Sequence, residues 1–235
     1  MCDVLVFLMI VRASFLAALF AGVASASALV VPFTEDFAAS NANWSTGNTA
    51  VSASWSSSGG EAGGSYIAST GTVLNTGFGA IVFRGNASTD ASGDAFVGDW
   101  ITGGVSAFSA YIYHDAPVAL NFYARLDAGA GRAGSSVDFS VPTATWFQLS
   151  VPITDAASSF QSYGAGTFAT VFNGIQNVQI AISTNQQASV IGQTYNIGLD
   201  KVSIVPEPGT VSLLGLAAGL AACFSLRRRN SRFAK

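Results

Sequence analysis

The chain is poor in cysteine, in histidine and in charged residues. Its 235 residues include two cysteines and one histidine, and 10% of them are charged. Cys2 and Cys223 lie in apolar segments at the two ends, so the region between those segments has no thiol and can form no disulfide. One histidine, His114, cannot supply the three or four protein ligands that a zinc site needs. These shortages exclude a disulfide-stapled scaffold and a Cys/His zinc centre.

Basic residues are also scarce between the two ends. Residues 29–204 contain eleven carboxylate side chains and four cationic ones, which gives a formal charge of −7. Because a nucleic-acid-binding protein needs a basic face, this composition excludes nucleic acid as a partner. An acidic surface suits hard cations instead.

The residue patterns of common hydrolases are missing as well. No Gly-x-Ser-x-Gly elbow of a serine hydrolase occurs. Glycoside hydrolysis needs paired carboxylates, and Glu35 and Glu61, the two glutamates of residues 29–204, lie in no recognisable catalytic context. We interpret His114, at the end of a strand-like run, as hydrogen-bonded to its loop. The pattern predicts a non-catalytic protein, with a secreted glycan-active hydrolase as the alternative.

Residues 1–28 have the pattern of a secretory signal peptide. An apolar core is followed by the small residues Ala24 to Ala28, where signal peptidase can cut after an Ala-x-Ala triplet. The first nine residues carry Asp3 rather than a cation, whereas a start at Met9 would place Arg12 before the apolar core. We therefore predict that translation starts at Met9.

A proline-flanked acid, an apolar run and a basic tail follow one another in residues 205–235. The proposed motif, in residues 205–210, centres on Pro206, Glu207 and Pro208, and the basic tail (227–235) begins with Arg227, Arg228 and Arg229. The prolines disfavour helix and keep the glutamate in an extended, accessible segment. The apolar run (211–226) would form a helix of about 24 Å, marginal for a hydrocarbon core of about 30 Å. The cations behind it would keep the C-terminus in the cytoplasm.

This order resembles the PEP-CTERM sorting signal of Gram-negative bacteria, which is also known as an ice-binding protein C-terminal motif. The resemblance implies recognition and cleavage by a membrane exosortase after export across the inner membrane. The protein would be anchored transiently by the 211–226 helix and then reach the cell envelope or the extracellular space. An ordinary single-span tail anchor is the alternative. Ice binding itself is not expected, because the Thr-x-Thr repeat of ice-binding solenoids is missing.

Residues 29–204 are predicted to form one all-β domain. In residues 120–126, Leu, Phe, Ala and Leu alternate with Asn, Tyr and Arg, which predicts a half-buried strand. Residues 155–163 are expected to make one short helical turn. The regular spacing of strands and turns predicts a two-sheet β-sandwich of jelly-roll type. The strand-like runs are Ala80–Arg84, Val105–Tyr113, Val118–Leu126, Ser136–Val141, Trp146–Val151, Val178–Ser183 and Tyr195–Val205.

Four short segments of this domain resemble carbohydrate-binding jelly-roll modules of exported bacterial proteins. They are Phe33–Phe37, Gly98–Ile101, Thr145–Leu149 and Tyr195–Ile204. The resemblance implies that the first and last strands are neighbours and that acids on them hold a structural calcium.

The calcium ligands would be Glu35 or Asp36 together with Asp200, and backbone carbonyls would complete the shell of six to eight oxygens. The alternative is that Asp36 and Asp200 end turns or pair with Arg125 or Lys201.

Aromatic residues are the candidates for contact with a sugar, because an indole or phenol face can stack on the apolar face of a sugar ring. Trp44 and Trp55 lie in a polar, Gly/Ser-rich stretch where aromatics are less easily buried. Tyr111, Tyr113 and Tyr123 are expected on the outward register of adjacent strands. For all of them, packing in the core or at its rim is the alternative.

The sequence as a whole predicts an exported, exosortase-sorted protein of the cell envelope or of the extracellular (biofilm) matrix. Its partners would be signal peptidase, exosortase, the membrane through the C-terminal helix, and an extracellular polysaccharide. A structural, self-assembling surface protein is a further alternative, because low charge and edge strands allow such assembly.

Overall fold

The computed structural model describes residues 29–47 and 51–206, and these form two antiparallel β-sheets that pack face to face. The first sheet has six strands in the order β11-β7-β14-β5-β4, with β1 also paired to β14. Its strands are β1 (Phe33–Glu35), β4 (Ser54–Ser56), β5 (Tyr66–Thr72), β7 (Val105–His114), β11 (Phe147–Pro152) and β14 (Thr194–Pro206).

The second sheet has eight strands in the order β12-β9-β8-β13-β6-β2-β3, with β10 also paired to β8. Its strands are β2 (Ser45–Thr46), β3 (Val51–Ser52), β6 (Ala80–Asn86), β8 (Leu120–Asp127), β9 (Arg132–Ser136), β10 (Phe139–Val141), β12 (Phe160–Gly164) and β13 (Asn177–Ile182). Consecutive strands often belong to different sheets, as in a jelly roll.

The all-β prediction is confirmed, and so is the expected pairing of the first and last strands. Each of the seven predicted runs overlaps an observed strand. The run predicted from Ser136 to Val141 is divided, because β9 ends at Ser136 and β10 begins at Phe139. β1 pairs with β14, with Glu35 opposite Val202.

The helical turn predicted for residues 155–163 is shorter than that range, because it closes over residues 156–160, where the Phe160 amide donates to the Ala156 carbonyl at 3.0 Å. A turn is followed there by β12, which pairs with β9 as an edge strand. Within the described ranges the one α-helix is α1 (Phe168–Phe172), and a Thr167–Thr170 capping box begins it. Strand β5 has no counterpart among the predicted runs.

The core lies between the two sheets and is built from alternating positions of the strands. In β8, Leu120, Phe122, Ala124 and Leu126 are all fully buried, as their alternation predicts. Trp100 is fully buried too, and its ring stacks on Phe108 with centroids 6.1 Å apart. Each such large apolar side chain contributes about 1.5–3 kcal/mol on burial, so the interior fixes how the sheets face each other.

The predicted signal peptide and most of the sorting segment, residues 1–28 and 207–235, lie outside the described residues. In the part of the chain that is described, no helix is long and apolar enough to span a membrane.

Candidate functional site

A row of polar side chains crosses the outer face of the eight-stranded sheet. It consists of Arg84 on β6, Gln179 on β13, Arg125 on β8, Ser135 on β9 and Gln161 on β12, each the direct cross-strand partner of the next. Direct partners of an antiparallel pair point to the same face. Four strand spacings of about 4.8 Å make this polar row roughly 19 Å long. The polar row runs at right angles to the strands, and within it Arg125 donates to Gln179.

Arg125, at the centre of the polar row, is held by three neighbours. Its Nη1 donates to Gln179 Oε1 at 2.8 Å and its Nε donates to the Tyr163 hydroxyl at 2.5 Å. Its Nη2 lies 3.2 Å from a carboxylate oxygen of Asp127. The guanidinium carbon also lies 5.6 Å from the centroid of the Tyr163 ring. These contacts fix the guanidinium, which reduces the entropy that a ligand would have to overcome.

Arg84 carries the second positive charge of the polar row, two strands away from Arg125. Its burial and the like charge of Arg125 lower the pKa of Arg84 below its ordinary value, while the charge of Asp127 acts in the opposite direction. Two guanidinium groups therefore sit close enough on this face to repel each other.

Phe78 projects over the same face from the loop between β5 and β6. It is 67% exposed, and its ring stacks on that of Tyr163 with centroids 5.3 Å apart and planes 26° apart. The Tyr123 hydroxyl donates to the Phe78 carbonyl. Gly79 has φ +72°, and a Cβ there would lie 2.0 Å from the Ile182 carbonyl oxygen. Only glycine fits this approach, so Gly79 anchors the loop that presents Phe78.

Phe78 lines two pockets, which together with the polar row we call the groove. The serine pocket, of about 410 Å³, is lined by Phe78, Tyr123, Ser135, Asp138, Gln161 and Tyr163 among others. The arginine pocket, of about 390 Å³, is lined by Leu74, Thr76, Phe78, Ile81, Arg84 and Arg125 with two glycines. The groove combines an exposed aromatic surface with donors and acceptors for hydrogen bonds.

The two tyrosines of the serine pocket are neutral hydrogen-bonding groups. Burial raises the pKa of Tyr163 to about 12, against the opposing effect of Arg125, and burial also raises the pKa of Tyr123. Asp138, which also lines this pocket, accepts a hydrogen bond from the Ser183 hydroxyl at 2.8 Å.

Of the predicted tyrosines, Tyr123 lies in the groove and the other two do not. Tyr111 and Tyr113 are on β7, on the outer face of the six-stranded sheet. The prediction that all three share an outward face of adjacent strands is therefore wrong. The reason is that the chain crosses from one sheet to the other between β7 and β8.

The predicted role of Trp44 in glycan contact is also wrong. Its side chain is fully buried, and its ring meets Phe37 and Phe96 edge to face at 5.9 and 6.0 Å. The indole nitrogen donates to the Ser92 hydroxyl at 2.8 Å. A ring with neither face exposed cannot stack on a sugar, and the packing alternative holds for Trp44.

Trp55 is 42% exposed and keeps a surface for contact, but away from the groove. It lies on β4, at the edge of the six-stranded sheet, and its indole nitrogen donates to the Phe37 carbonyl at 2.7 Å. A glycan contact at Trp55 stays a prediction.

The carboxylates predicted to bind calcium accept hydrogen bonds from backbone amides. Glu35 and Asp36 each accept a hydrogen bond from the backbone amide two residues further on. Asp200 is 1% exposed, and its two oxygens accept the amides of Glu61 and Lys201 at 2.9 and 2.7 Å. The Lys201 ammonium pairs with the Glu61 carboxylate beside it. No group of three or more metal-ligating side chains occurs within residues 29–47 and 51–206. A calcium site that backbone carbonyls complete stays a prediction.

His114 is buried inside the sandwich rather than at the groove. Its Nε2 lies 2.9 Å from the Val141 carbonyl oxygen, and its ring stacks on Phe122. Burial lowers the pKa of His114. The expected hydrogen bond is present, but to β10 rather than to the adjoining loop.

The sequence interpretation missed Arg84, Arg125, Gln179 and Tyr163, because their proximity depends on which strands pair. Phe78 did have a local signal. It is a single aromatic residue between Gly77 and Gly79, a context in which a large ring has little local structure to bury it. A search for Gly-flanked aromatics would have found it.

Of the predicted sorting residues, Pro206 is described, as the last residue of β14. Its carbonyl oxygen accepts a hydrogen bond from the Ser106 hydroxyl at 2.9 Å. Glu207, Pro208 and the basic residues 227–229 lie outside the described residues.

Comparison with solved structures places the described domain among β-sandwich proteins. An exo-β-agarase matches with a TM-score of 0.50 at 10% identity, over 76% of this chain and 25% of that one. The family 11 carbohydrate-binding module of Lic26A-Cel5E from Clostridium thermocellum matches with a TM-score of 0.47 at 15% identity, over 76% and 96% of the two chains. The CBM22-2 xylan-binding domain of Paenibacillus barcinonensis Xyn10C matches with a TM-score of 0.43 at 12% identity, over 74% and 99%.

At these identities the likeness concerns the fold alone. This chain spans about a quarter of the agarase and of a Clostridium thermocellum xylanase, 25% and 28% respectively. No curated protein sequence matches it.

The family comparison concerns the C-terminus. Residues 205–229 match the model of the PEP-CTERM protein-sorting motif, which confirms the resemblance of the tail. This motif indicates an exported protein that an exosortase processes. The chain thus carries a PEP-CTERM sorting motif behind an all-β domain whose structural neighbours include carbohydrate-binding jelly-roll modules.

Proposed function

We propose that the β-sandwich binds a polysaccharide of the cell envelope or extracellular matrix in the groove, without catalysis. The observation that carries this proposal is the combination of the polar row with the exposed ring of Phe78 on the same face. Sugar rings offer an apolar C–H face and a rim of hydroxyls, so they need a flat aromatic surface beside fixed donors and acceptors. The groove supplies both within one surface.

The open form of the groove favours a chain over a small sugar. The polar row crosses from β6 to β12, so a linear polymer that lies along it can contact the four members other than the buried Gln179. Weak contacts to successive units then add up along the polymer.

The sorting motif supports the same setting. After signal peptidase removes residues 1–28, the 211–226 segment would hold the protein in the membrane until exosortase cuts near Glu207. The freed sandwich would then reach the polysaccharide outside the inner membrane.

The lining of the groove favours binding over hydrolysis. Within the described residues, Asp138 is the one carboxylate that lines either pocket, and it accepts a hydrogen bond from Ser183. Glycoside hydrolysis uses two carboxylates that flank the bond to be cut.

Affinity electrophoresis of the full-length protein in detergent, through gels that contain single polysaccharides, tests the proposal. At least one polysaccharide should retard the parent protein, and Tyr163→Ala should abolish the retardation. Tyr113→Ala, which removes a tyrosine from the opposite sheet, should leave it unchanged. If no polysaccharide retards the parent, or if Tyr113→Ala has the larger effect, the groove is not the binding site.

A further inference from the structure

The few cations of this acidic domain are unevenly placed. Residues 29–204 carry four cationic side chains against eleven acidic ones. Two of the four, Arg84 and Arg125, line one pocket of the groove. Arg132 donates to the carbonyls of Ala128 and Gly129, and Lys201 pairs with Glu61 near the other sheet. Half of the positive charge thus faces the place where a ligand would bind.

The lining of the arginine pocket contains no carboxylate among the described residues. Its other members are Leu74, Thr76, Phe78, Ile81 and two glycines. Asp127 pairs with Arg125 from beside the pocket at 3.2 Å and also acts on Arg84. Asp138 lines the serine pocket and not the arginine pocket. The described lining of the arginine pocket thus carries two cations and no carboxylate.

This arrangement costs free energy in the absence of a ligand. Arg84 is partly buried. Arg125 carries the same charge and lies two strands away, with Gln179 between them. Gln179 is 1% exposed. Both effects, burial and the charge of Arg125, lower the pKa of Arg84. An anion placed between the two guanidinium groups would remove the repulsion and would form charge-assisted hydrogen bonds.

The chemistry of the pocket also defines the anion. A guanidinium group presents planar, paired donors that match the oxygens of a carboxylate or a sulfate. The apolar walls from Leu74, Phe78 and Ile81 suit the C–H face of a sugar ring rather than a free inorganic ion. The occupant would be a sugar that bears an acidic group.

We propose that the groove selects an acidic polysaccharide, with the carboxylate or sulfate of one sugar unit seated between Arg84 and Arg125 in the arginine pocket. This inference rests on the proposed function and adds the ligand class to it. Carboxylated and sulfated glycans share the chemistry that the pocket recognises.

Three polymers distinguish the possibilities: alginate for carboxylate, carrageenan for sulfate, and barley β-glucan as a neutral chain. The full-length protein in detergent should bind alginate or carrageenan at least about tenfold more tightly than β-glucan. Binding to the acidic polymer should weaken as salt is raised, because exposed charges are screened.

Variants then locate the effect. Arg84→Gln should lower the ratio of acidic to neutral affinity by about tenfold, and Arg84→Lys should restore part of it, because lysine keeps the charge but not the paired donors. Arg132→Gln removes the same charge away from the groove and should leave the ratio unchanged. Thermal melting of each variant checks that it is folded.

The outcomes separate this inference from the proposed function. The acidic preference is overturned if β-glucan binds more tightly than both acidic polymers. It is also overturned if the ratio of acidic to neutral affinity is the same in the parent and in Arg84→Gln. Either result leaves glycan binding in place. An equal loss in Arg132→Gln also overturns it, because the effect would then be one of overall charge. If none of the three polymers is bound while another polysaccharide retards the parent in affinity electrophoresis, the acidic preference fails and glycan binding stands. If no polysaccharide is bound in either assay, both proposals fail.

Discussion

Removal of the Phe78 ring should weaken polysaccharide binding without unfolding the protein. The ring is 67% exposed, and Tyr163 covers its other face. An aromatic side chain carries about 200 Å², so a sugar over the free face would cover roughly 70 Å², about half of the exposed part. At ~25 cal/mol per Å², this contact contributes about 1.7 kcal/mol. Phe78→Ala should therefore lower the affinity by a factor of about ten to twenty.

The assay is isothermal titration calorimetry with the polysaccharide that retards the parent protein most strongly. The stability of Phe78→Ala should change by less than about 0.5 kcal/mol, as for other exposed positions. Tyr113→Ala is the matched aromatic change on the opposite sheet and should bind like the parent. Parent-like affinity of Phe78→Ala would refute the reasoning, and so would an equal loss in Tyr113→Ala.

Three further predictions concern the loop, the buried histidine and the calcium question. Gly79→Ala should destabilise the protein by about 2 kcal/mol or more in urea unfolding, since it adds a backbone clash to a left-handed conformation. Gly63→Ala, at φ +81° with nothing within 4 Å, is the control for the conformation alone, and an equal loss there would rule out the clash. Burial lowers the pKa of His114, so the unfolded chain takes up the proton first as the pH falls. The free energy of unfolding should therefore decrease below about pH 6.5 and should do so less steeply in His114→Gln; identical slopes would contradict this. Because Asp200 already accepts two backbone amides, added calcium should leave the melting temperature unchanged. A rise with calcium that Asp200→Ala removes would contradict this expectation and support the predicted calcium site.

The strands that the sequence predicts well are those whose burial alternates. In β8 the four apolar positions of residues 120–126 are fully buried, because a strand with one face in the core must repeat with period two. Strand β5 has the sequence YIASTGT. Because most of these residues are small or polar, the sequence does not show which positions face the core. Its Gly71 is buried because Val82 and Ile182 pack where a side chain would stand. The burial of Gly71 therefore depends on residues that are distant in sequence, and the local pattern does not predict it.

The candidate groove was beyond local prediction for a related reason. Arg84 and Gln179 are 95 positions apart and meet only because β6 pairs with β13. Periodicity tells which face of a strand is buried, but not which sheet the strand joins. The two tyrosines of β7 and Tyr123 of β8 therefore looked alike in sequence and lie on opposite faces of the sandwich.

Trp44 is a residue that the sequence predicted to be exposed and that is buried. The polar stretch around it predicted an exposed ring, yet the chain folds back and encloses it between Phe37 and Phe96. Gly85, where a Cβ would come within 2.7 Å of the indole, leaves the space for it. The polar composition of a segment indicates that most of its residues are exposed. It does not predict whether a single large residue within it is buried.

A crystal structure of the exported protein with an oligosaccharide from the polymer it binds tests the central claim most directly. The account predicts sugar units along the outer face of the eight-stranded sheet, with one ring against Phe78 and an acidic substituent between Arg84 and Arg125. Sugar bound instead on the outer face of the six-stranded sheet, near Tyr113, would contradict it.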